Sequence, residues 1–189
     1  GLEIEGSMKL NDMIRLDGAV SFGKWKFDGD ADGLYTEYDE EAPKQTSYTY
    51  TLDGLFVGDQ PQTAYVLGTT LTPMDGLRLQ GIFKMYDKNY ADWSPDSREL
   101  SGDADRSQVW QAPAYNRLDL HAAYKLPKIA GYDMTLTGHL FNALDAVYVQ
   151  DAVDNSQYNG FGDKLHLAHN AEVFLGTPRY FNLGLSVNF

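Results

Sequence analysis

Seven segments of the chain alternate apolar and polar residues with a period of two. They lie near 2–10, 14–27, 63–72, 77–90, 115–126, 132–149 and 180–189. The last is the most regular, with polar or small residues between Phe181, Leu183, Leu185, Val187 and Phe189. Successive side chains of a β-strand point to opposite faces, so this pattern predicts amphipathic strands. No segment of comparable length has a helical period.

The connections between the predicted strands are alternately short and long. Those after the first, third and fifth segments are "NDM", "PMDG" and "PKIAG", whereas the others cover about 28–62, 91–114 and 150–172. This arrangement predicts an all-β, antiparallel up-and-down meander with tight turns at one end and long, acidic loops at the other. Transmembrane β-barrels have the same asymmetry, with the apolar face toward lipid and the polar face toward the interior.

Strand length and aromatic placement agree with a barrel. An apolar band about 25 Å tall, crossed at about 40° with a rise of about 3.3 Å per residue, needs about ten residues, and the 181–189 row has nine. Aromatic residues near segment ends suit interfacial girdles: Trp25, Phe27, Tyr86, Tyr90, Tyr115 and Tyr148. A soluble β-sandwich, with the apolar stripes facing a core, is the alternative. The long strands and the asymmetric connections favour the barrel.

Seven strands would leave a barrel open at both edges. Unpaired backbone groups in hydrocarbon cost several kcal/mol each, and bacterial single-chain barrels have an even number of strands. We therefore expect residues 1–189 to be the C-terminal portion of a larger barrel, with the C terminus on the periplasmic side.

Composition excludes several classes of protein. The 189 residues carry a formal charge of −12 and include no cysteine. No apolar run reaches the ~18–20 residues of a transmembrane helix, and the negative charge argues against nucleic-acid binding. A disulfide scaffold and a zinc–thiolate site need cysteine. No nucleophile–base arrangement, phosphate loop or paired catalytic carboxylates stand out, so no enzymatic activity is predicted.

Three motifs together resemble those of TonB-dependent outer-membrane receptors. "GTPRYFNLGLSVNF" is similar to the last strand of that family, and "FNALDAVY" resembles its penultimate N-x-L-D-x-x-Y element, although Phe141 and Ala143 replace the more usual Asn and Leu. "GDQP", at 58–61, looks like a loop end that leads into a hairpin of these receptors. The "NYAD" run at 89–92 resembles one found in the carbohydrate- and siderophore-type subgroup. The resemblance extends over essentially the whole chain.

The resemblance implies a 22-stranded barrel closed by an N-terminal plug, with the plug and the N-terminal strands absent from this sequence. It implies import of a scarce ligand (a siderophore, cobalamin or a glycan) across the outer membrane of a Gram-negative bacterium. The TonB complex would drive import through the missing N-terminal part, and the barrel-assembly machinery would recognise the final strand. The assembly signal would consist of Phe181, Leu183, Leu185, Val187 and Phe189. A passive porin or a small autonomous barrel is the alternative.

The acidic stretch "DGDADG" is a candidate calcium site. Asp28, Asp30 and Asp32 stand at alternate positions before Gly33, and Asp39 is twelfth when Asp28 counts as the first. This spacing approximates a D-x-D-x-D-G calcium loop, except that an Asp replaces the bidentate Glu and no helices flank it. Calcium is the one possible cofactor, and a solvated acidic loop is the alternative.

The long loops contain candidate ligand contacts. Aromatic side chains beside acids and amides suit stacking on sugars or on a ligand scaffold. The candidates are Tyr90, Trp93, Trp110, Tyr158 and Phe161. The alternative assigns these aromatics to the interfacial girdle, among acids that keep the loops solvated.

The remaining titratable groups have structural interpretations. His121 and His139 are expected to point into the interior as single polar groups, and His166 and His169 form an H-x-x-H pair without an evident third metal ligand. Several basic residues are expected to face the interior and to pair with carboxylates: Arg15, Arg78, Lys84, Arg117 and Lys125.

Overall fold

A computed structural model of the chain describes residues 1–38, 42–93, 106–128, 131–154 and 166–188. These residues form thirteen β-strands and no α-helix. The described part of the chain therefore has no helix long and apolar enough to cross a membrane. The predictions made for Asp39, Tyr158, Phe161 and Phe189 lie outside these residues.

The seven predicted strands form a single antiparallel sheet. In chain numbering its members are β1 (Leu2–Lys9), β2 (Ile14–Phe22), β5 (Thr63–Met74), β6 (Leu77–Asp87), β9 (Tyr115–Lys125), β10 (Asp133–Phe141) and β13 (Tyr180–Asn188). They are hydrogen-bonded in that order, each to the preceding and following member. The up-and-down meander predicted from the alternating pattern is confirmed.

The three long connections contain strand pairs of their own. Connection A, 23–62, holds β3 (Ala31–Tyr38) and β4 (Pro43–Tyr50); connection B, 88–114, holds β7 (Asn89–Tyr90) and β8 (Gln111–Ala112). Connection C, 142–179, holds β11 (Val149–Asp154) and β12 (Ala171–Leu175). Connections A, B and C leave the same end of the sheet, and we refer to them together as the loop layer. The sequence pattern did not predict these pairs, because strands such as "PKQTSYTY" are polar on both faces.

Three strands are clearly shorter than the pattern predicted. The second segment was expected to reach about residue 27, but β2 ends at Phe22. The sixth segment was expected to continue to about Val149, but β10 ends at Phe141. The backbone turns there because Asn142 adopts a φ of 48° and Asp145 a φ of 53°. The fourth segment stops at Asp87 before Lys88, whose φ is 55°. Positive φ values interrupt a strand irrespective of the hydrophobic pattern.

The strand register places the apolar residues on one continuous face. One row across five neighbouring strands consists of Leu71, Leu79, Ala122, Gly138 and Leu183. The neighbouring row, one residue away on each of the last four strands, lies on the opposite face and is polar: Gln80, His121, His139 and Asn182. The seven predicted stripes therefore merge into a single apolar surface.

This apolar surface is exposed. Leu67 on β5 and Leu136 on β10 lie on interior strands, yet 55% and 46% of their surfaces are accessible. The buried hydrophobic residues of the described chain all lie outside the seven-stranded sheet: Leu52, Leu55, Ala91, Trp93, Val109, Ala112, Tyr148 and Ala152. Within the described residues, the dry core lies in the loop layer, and no second sheet covers the apolar face as a β-sandwich would require.

Candidate functional site

The polar face of the sheet contains a buried carboxylate between two cations. Asp119 on β9 has a side chain only 3% exposed and lies 3.2 Å from the Nζ of Lys84 and 3.5 Å from a guanidinium nitrogen of Arg117. It also accepts a 2.9 Å hydrogen bond from the backbone N–H of Asn142. The sequence interpretation identified both cations as facing this side. It did not predict that Asp119 is buried between them.

Asn142 closes the turn that follows β10. Its side-chain oxygen accepts from the N–H of Ala146 at 3.0 Å, and its amide nitrogen donates to the carbonyls of Ala146 at 2.9 Å and Thr177 at 3.2 Å. Asp145 accepts a 3.2 Å bond from the N–H of Arg179 and lies 3.4 Å from its guanidinium. The "FNALDAVY" and "GTPRYF" motifs are therefore directly bonded to each other.

Tyr148 completes this junction between the two motifs. Its carbonyl accepts from the N–H of Gly176 at 2.9 Å, and its hydroxyl accepts from Arg117 at 3.1 Å. The ring stacks on Tyr115 with centroids 4.4 Å apart. A Cβ at position 176 would lie 1.9 Å from the Tyr148 ring, so the ring occupies the space that only glycine leaves free.

The loop layer has its own hydrophobic core. Leu52 and Leu55 from connection A pack with Trp93 and Val109 from connection B. Phe27 contacts the indole of Trp93 edge-on, with centroids 5.6 Å apart. This cluster fixes connections A and B against each other.

The structure brings three of the five predicted ligand contacts together in the loop layer. Tyr90 packs against the core and stacks on Phe56 with centroids 4.3 Å apart. Trp93 is only 8% exposed and belongs to the core itself. The carbonyl of Trp110, which is partly exposed, accepts from Ala91 at 2.8 Å. Tyr90 and Trp110 are partly exposed, whereas Trp93 is buried in the cluster against which Tyr90 packs. Ligand binding by these aromatic residues stays a prediction.

Polar contacts reinforce the connection between A and B. The guanidinium of Arg106 holds both carboxylate oxygens of Asp30, at 3.0 and 2.7 Å. The amide of Gln108 donates to the carbonyl of Gly54 at 2.6 Å and accepts from the N–H of Phe56 at 3.0 Å. Bidentate arginine–carboxylate pairs have well-defined geometry, so this contact fixes the relative position of the two connections.

Two carboxylates of the predicted calcium loop hydrogen-bond to other residues of the protein. Asp30 binds Arg106 and accepts from the N–H groups of Leu52 and Asp53 at 3.0 and 3.1 Å, while Asp32 accepts from the hydroxyl of Thr49 at 2.7 Å. The Arg106 hydrogen bond lowers the pKa of Asp30 to about 2. The described residues contain no group of three or more His, Cys, Asp or Glu side chains arranged to hold a metal ion. Calcium binding by Asp28, Asp30, Asp32 and Asp39 stays a prediction.

Three carboxylates from all three connections meet in the loop layer. They are Asp59 of connection A, Asp92 of connection B and Asp151 of connection C. Asp59 is accessible to solvent, but partial desolvation by its neighbours, a hydrogen bond with Asp151 and the negative charge of Asp92 raise its pKa to about 6. Asp59 belongs to the "GDQP" motif. The adjacent Gly58 is needed because a Cβ there would lie 2.8 Å from the backbone of Asp92. The motif thus permits a close backbone approach between connections A and B.

Three of the histidines have specific side-chain partners. His166 lies 2.6 Å from the carboxylate of Asp154, with both side chains buried. His121 and His139 were expected to be single polar groups, and this is wrong: their Nδ1 atoms are 2.8 Å apart. They lie directly opposite each other on β9 and β10, a contact that depends on strand register and is not visible in their spacing along the chain.

Comparison of the chain with protein-family models and with curated proteins found no match.

Proposed function

We propose that this chain supplies the C-terminal strands and three extracellular loops of a TonB-dependent outer-membrane receptor. In this proposal the seven strands belong to a 22-stranded barrel that imports a scarce ligand into the periplasm, and the chain has no catalytic role. The TonB complex acts through an N-terminal part of the receptor outside this sequence, and the barrel-assembly machinery recognises the final strand.

The observation that carries the proposal is the inverted distribution of apolar residues. A protein in water gains stability by burying large aliphatic side chains. This sheet instead exposes large apolar side chains on all seven strands, and the buried hydrophobic residues of the described chain lie in the loop layer. Acyl chains would cover such a surface at no hydration cost. The opposite face, with Lys84, Arg117 and Asp119, would line the barrel interior.

The ends of the sheet support the same orientation. Short turns occur at one end and the loop layer, with its own core, at the other, as expected for periplasmic and extracellular sides respectively. Tyr90 and Trp110 in the loop layer are positioned to contact a ligand. The junction explains why the two motifs that resemble the receptor family contain Asn142, Tyr148 and Gly176: these residues hydrogen-bond and pack the two motifs against each other.

Labels on adjacent residues of β10 test the orientation of the sheet. The chain has no cysteine, so Leu136→Cys and Thr137→Cys can be introduced into the full-length protein after replacement of any cysteine elsewhere, and labelled with an environment-sensitive fluorophore in liposomes. We expect a quencher attached to lipid tails to act at position 136 and aqueous iodide to act at position 137. A label at 136 that neither quencher reaches would indicate a dry protein core and would contradict the proposal.

Growth assays test the transport function. A strain that depends on this receptor is grown with ferric chelates, cobalamin or glycans as the limiting nutrient, with and without functional TonB. We expect growth on at least one of these nutrients to require both the receptor and TonB. Steady conductance of the full-length protein in planar bilayers, together with growth that is independent of TonB, would support a passive porin instead.

A further inference from the structure

His121 and His139 form an isolated imidazole pair on the polar face. Their Nδ1 atoms lie 2.8 Å apart and their rings are inclined by 61°. Phe141 contacts both rings, with centroids at 5.5 Å from His121 and 6.0 Å from His139, and Tyr180 stacks on Phe141 at 4.7 Å. These neighbours pack against the ring pair and keep the two Nδ1 atoms beside each other.

The pair opens into a cavity of about 470 Å³. Gln80 and Asn182 also line this cavity and flank the pair in the strand register, beside His121 and His139 respectively. The four side chains therefore form a row of nitrogen and oxygen donors across four strands. Such a row leaves room for an ion and for water molecules that complete its coordination.

The separation of the nitrogens fits a tetragonal metal ion. Two metal–nitrogen bonds of about 2.0–2.1 Å place cis ligands about 2.9 Å apart at a right angle and about 3.3 Å apart at a tetrahedral angle. The observed 2.8 Å is close to the right-angle value. Metal binding replaces the N–H···N hydrogen bond between the rings: the ring that carries its proton on Nδ1 carries it on Nε2 instead, and both Nδ1 lone pairs are then available to one metal ion. Imidazole suits Cu²⁺, which prefers tetragonal geometry and is the most strongly bound of the first-row divalent ions. We propose that His121 and His139 are a binding site for Cu²⁺, with Ni²⁺ as a weaker ligand.

Neighbouring charges determine the strength of this site. Two neutral imidazoles bring no negative charge, and Arg78 in the same cavity adds a positive one. Asp119, two residues from His121, is already paired with Lys84 and Arg117. The site is therefore weaker than a four-ligand structural metal site, and it does not favour hard ions such as Ca²⁺. The inference is independent of the proposed transport function.

Copper titration of the full-length protein in detergent tests the site. Cu²⁺ buffered with glycine is added to wild type, His121→Ala and His139→Ala, with His169→Ala, an exposed histidine in connection C, as the matched control. We expect either substitution in the pair to weaken the binding of one Cu²⁺ equivalent at least tenfold. Electron paramagnetic resonance of the wild type should show splitting from two nitrogens, which the control retains.

Folding of each variant is checked by the shift in gel mobility on heating. If either alanine variant fails to fold, His121→Gln and His139→Gln replace it, because Gln keeps a hydrogen-bonding group at the position. Equal copper affinity in the wild type and the folded pair variants would overturn the inference. So would a wild-type spectrum without two-nitrogen splitting, since the pair would then be only a hydrogen bond between neutral imidazoles.

Discussion

The sheet and the loop layer are stabilised in opposite ways. The sheet is regular: its strands pair along their length, while Leu67, Leu136 and other large apolar side chains remain exposed. The loop layer has short strand pairs and a buried cluster that includes Leu55 and Trp93. Within the described residues, the hydrophobic effect therefore organises only the loop layer through an internal core. The sheet depends on backbone hydrogen bonds and on whatever medium contacts its apolar face.

The largest expected effect comes from a charge on the apolar face. Leu136→Arg in the full-length protein should lower the free energy of unfolding in bilayers by about 2–4 kcal/mol, the cost of a lipid-facing arginine near the midplane. Thr137→Arg is the matched control, because position 137 faces the opposite side of the sheet. The free energy of unfolding should fall by about 1 kcal/mol or less, since the substitution removes only one long hydrogen bond, from the Thr137 hydroxyl to the carbonyl of Gly184. Urea titration in phosphocholine vesicles measures both. Equal losses would remove the distinction between the faces.

A second effect concerns the buried carboxylate of the polar face. Asp119→Asn removes the charge between Lys84 and Arg117 but keeps an acceptor for Asn142, and we expect a loss of about 2–3 kcal/mol. Asp17→Asn is the control, because its 2.7 Å pair with Arg15 is exposed and should contribute about 0–1 kcal/mol. The same urea titration compares them. If both variants lose the same amount, burial of Asp119 has no energetic consequence.

A third effect tests the junction between sheet and loop layer. Gly176→Ala places a methyl group inside the Tyr148 ring and should cost about 1–3 kcal/mol by overpacking. Gly6→Ala on β1 has no atom within 4 Å of the new Cβ and should change stability by about 0.5 kcal/mol or less. Thermal unfolding in detergent measures both variants. Tyr148→Leu combined with Gly176→Ala should recover part of the loss; no recovery would mean that the ring contact is not the cause.

The smallest effect is a pH dependence within the loop layer. The carboxyl of Asp59 titrates at about 6 in the folded protein against 3.8 for an ordinary Asp. Between these values the folded state binds more protons, so stability falls as pH rises and is constant above about 7. Asp59→Asn should raise stability at pH 7.5 by about 1 kcal/mol at most, because the side chain is exposed.

Unfolding temperatures at pH 4.5 and 7.5 measure this effect. The difference between the two pH values should shrink in Asp59→Asn. It should be unchanged in Asp75→Asn, which removes an equal charge from an exposed turn at the other end of the sheet. A similar shrinkage in both variants would assign the pH dependence to net charge alone.

The sheet could be predicted because its determinants are local. Alternation with a period of two specifies both a strand and its faces, and the short and long connections specify the neighbours. The turn after β10 could not be predicted from that pattern, because the positive φ of Asn142 depends on bonds to Ala146 and Thr177. The strand pairs of the loop layer were missed for a different reason: a strand such as β4, which is polar on both faces, has no alternating pattern to detect.

The candidate site was predicted less completely than the fold. Residue type suggested Tyr90 and Trp110, but burial of Trp93 depends on packing against Leu52 and Leu55 from another connection. The His121–His139 contact depends on strand register across 18 residues. Asp119 was missed because a single carboxylate in an alternating strand is indistinguishable from a solvated one until its partners are known.

Two backbone hydrogen bonds of Asp92 have a mechanical consequence for the loop layer. Its N–H donates to the carbonyl of Ala152 at 2.8 Å, and its carbonyl accepts from Asp154 at 2.7 Å. Displacement of connection B must therefore break both hydrogen bonds or move connection C with it. The ion pair between Arg106 and Asp30 links connection B to connection A in the same way. Through these contacts, the described parts of the three connections are expected to resist displacement as one unit.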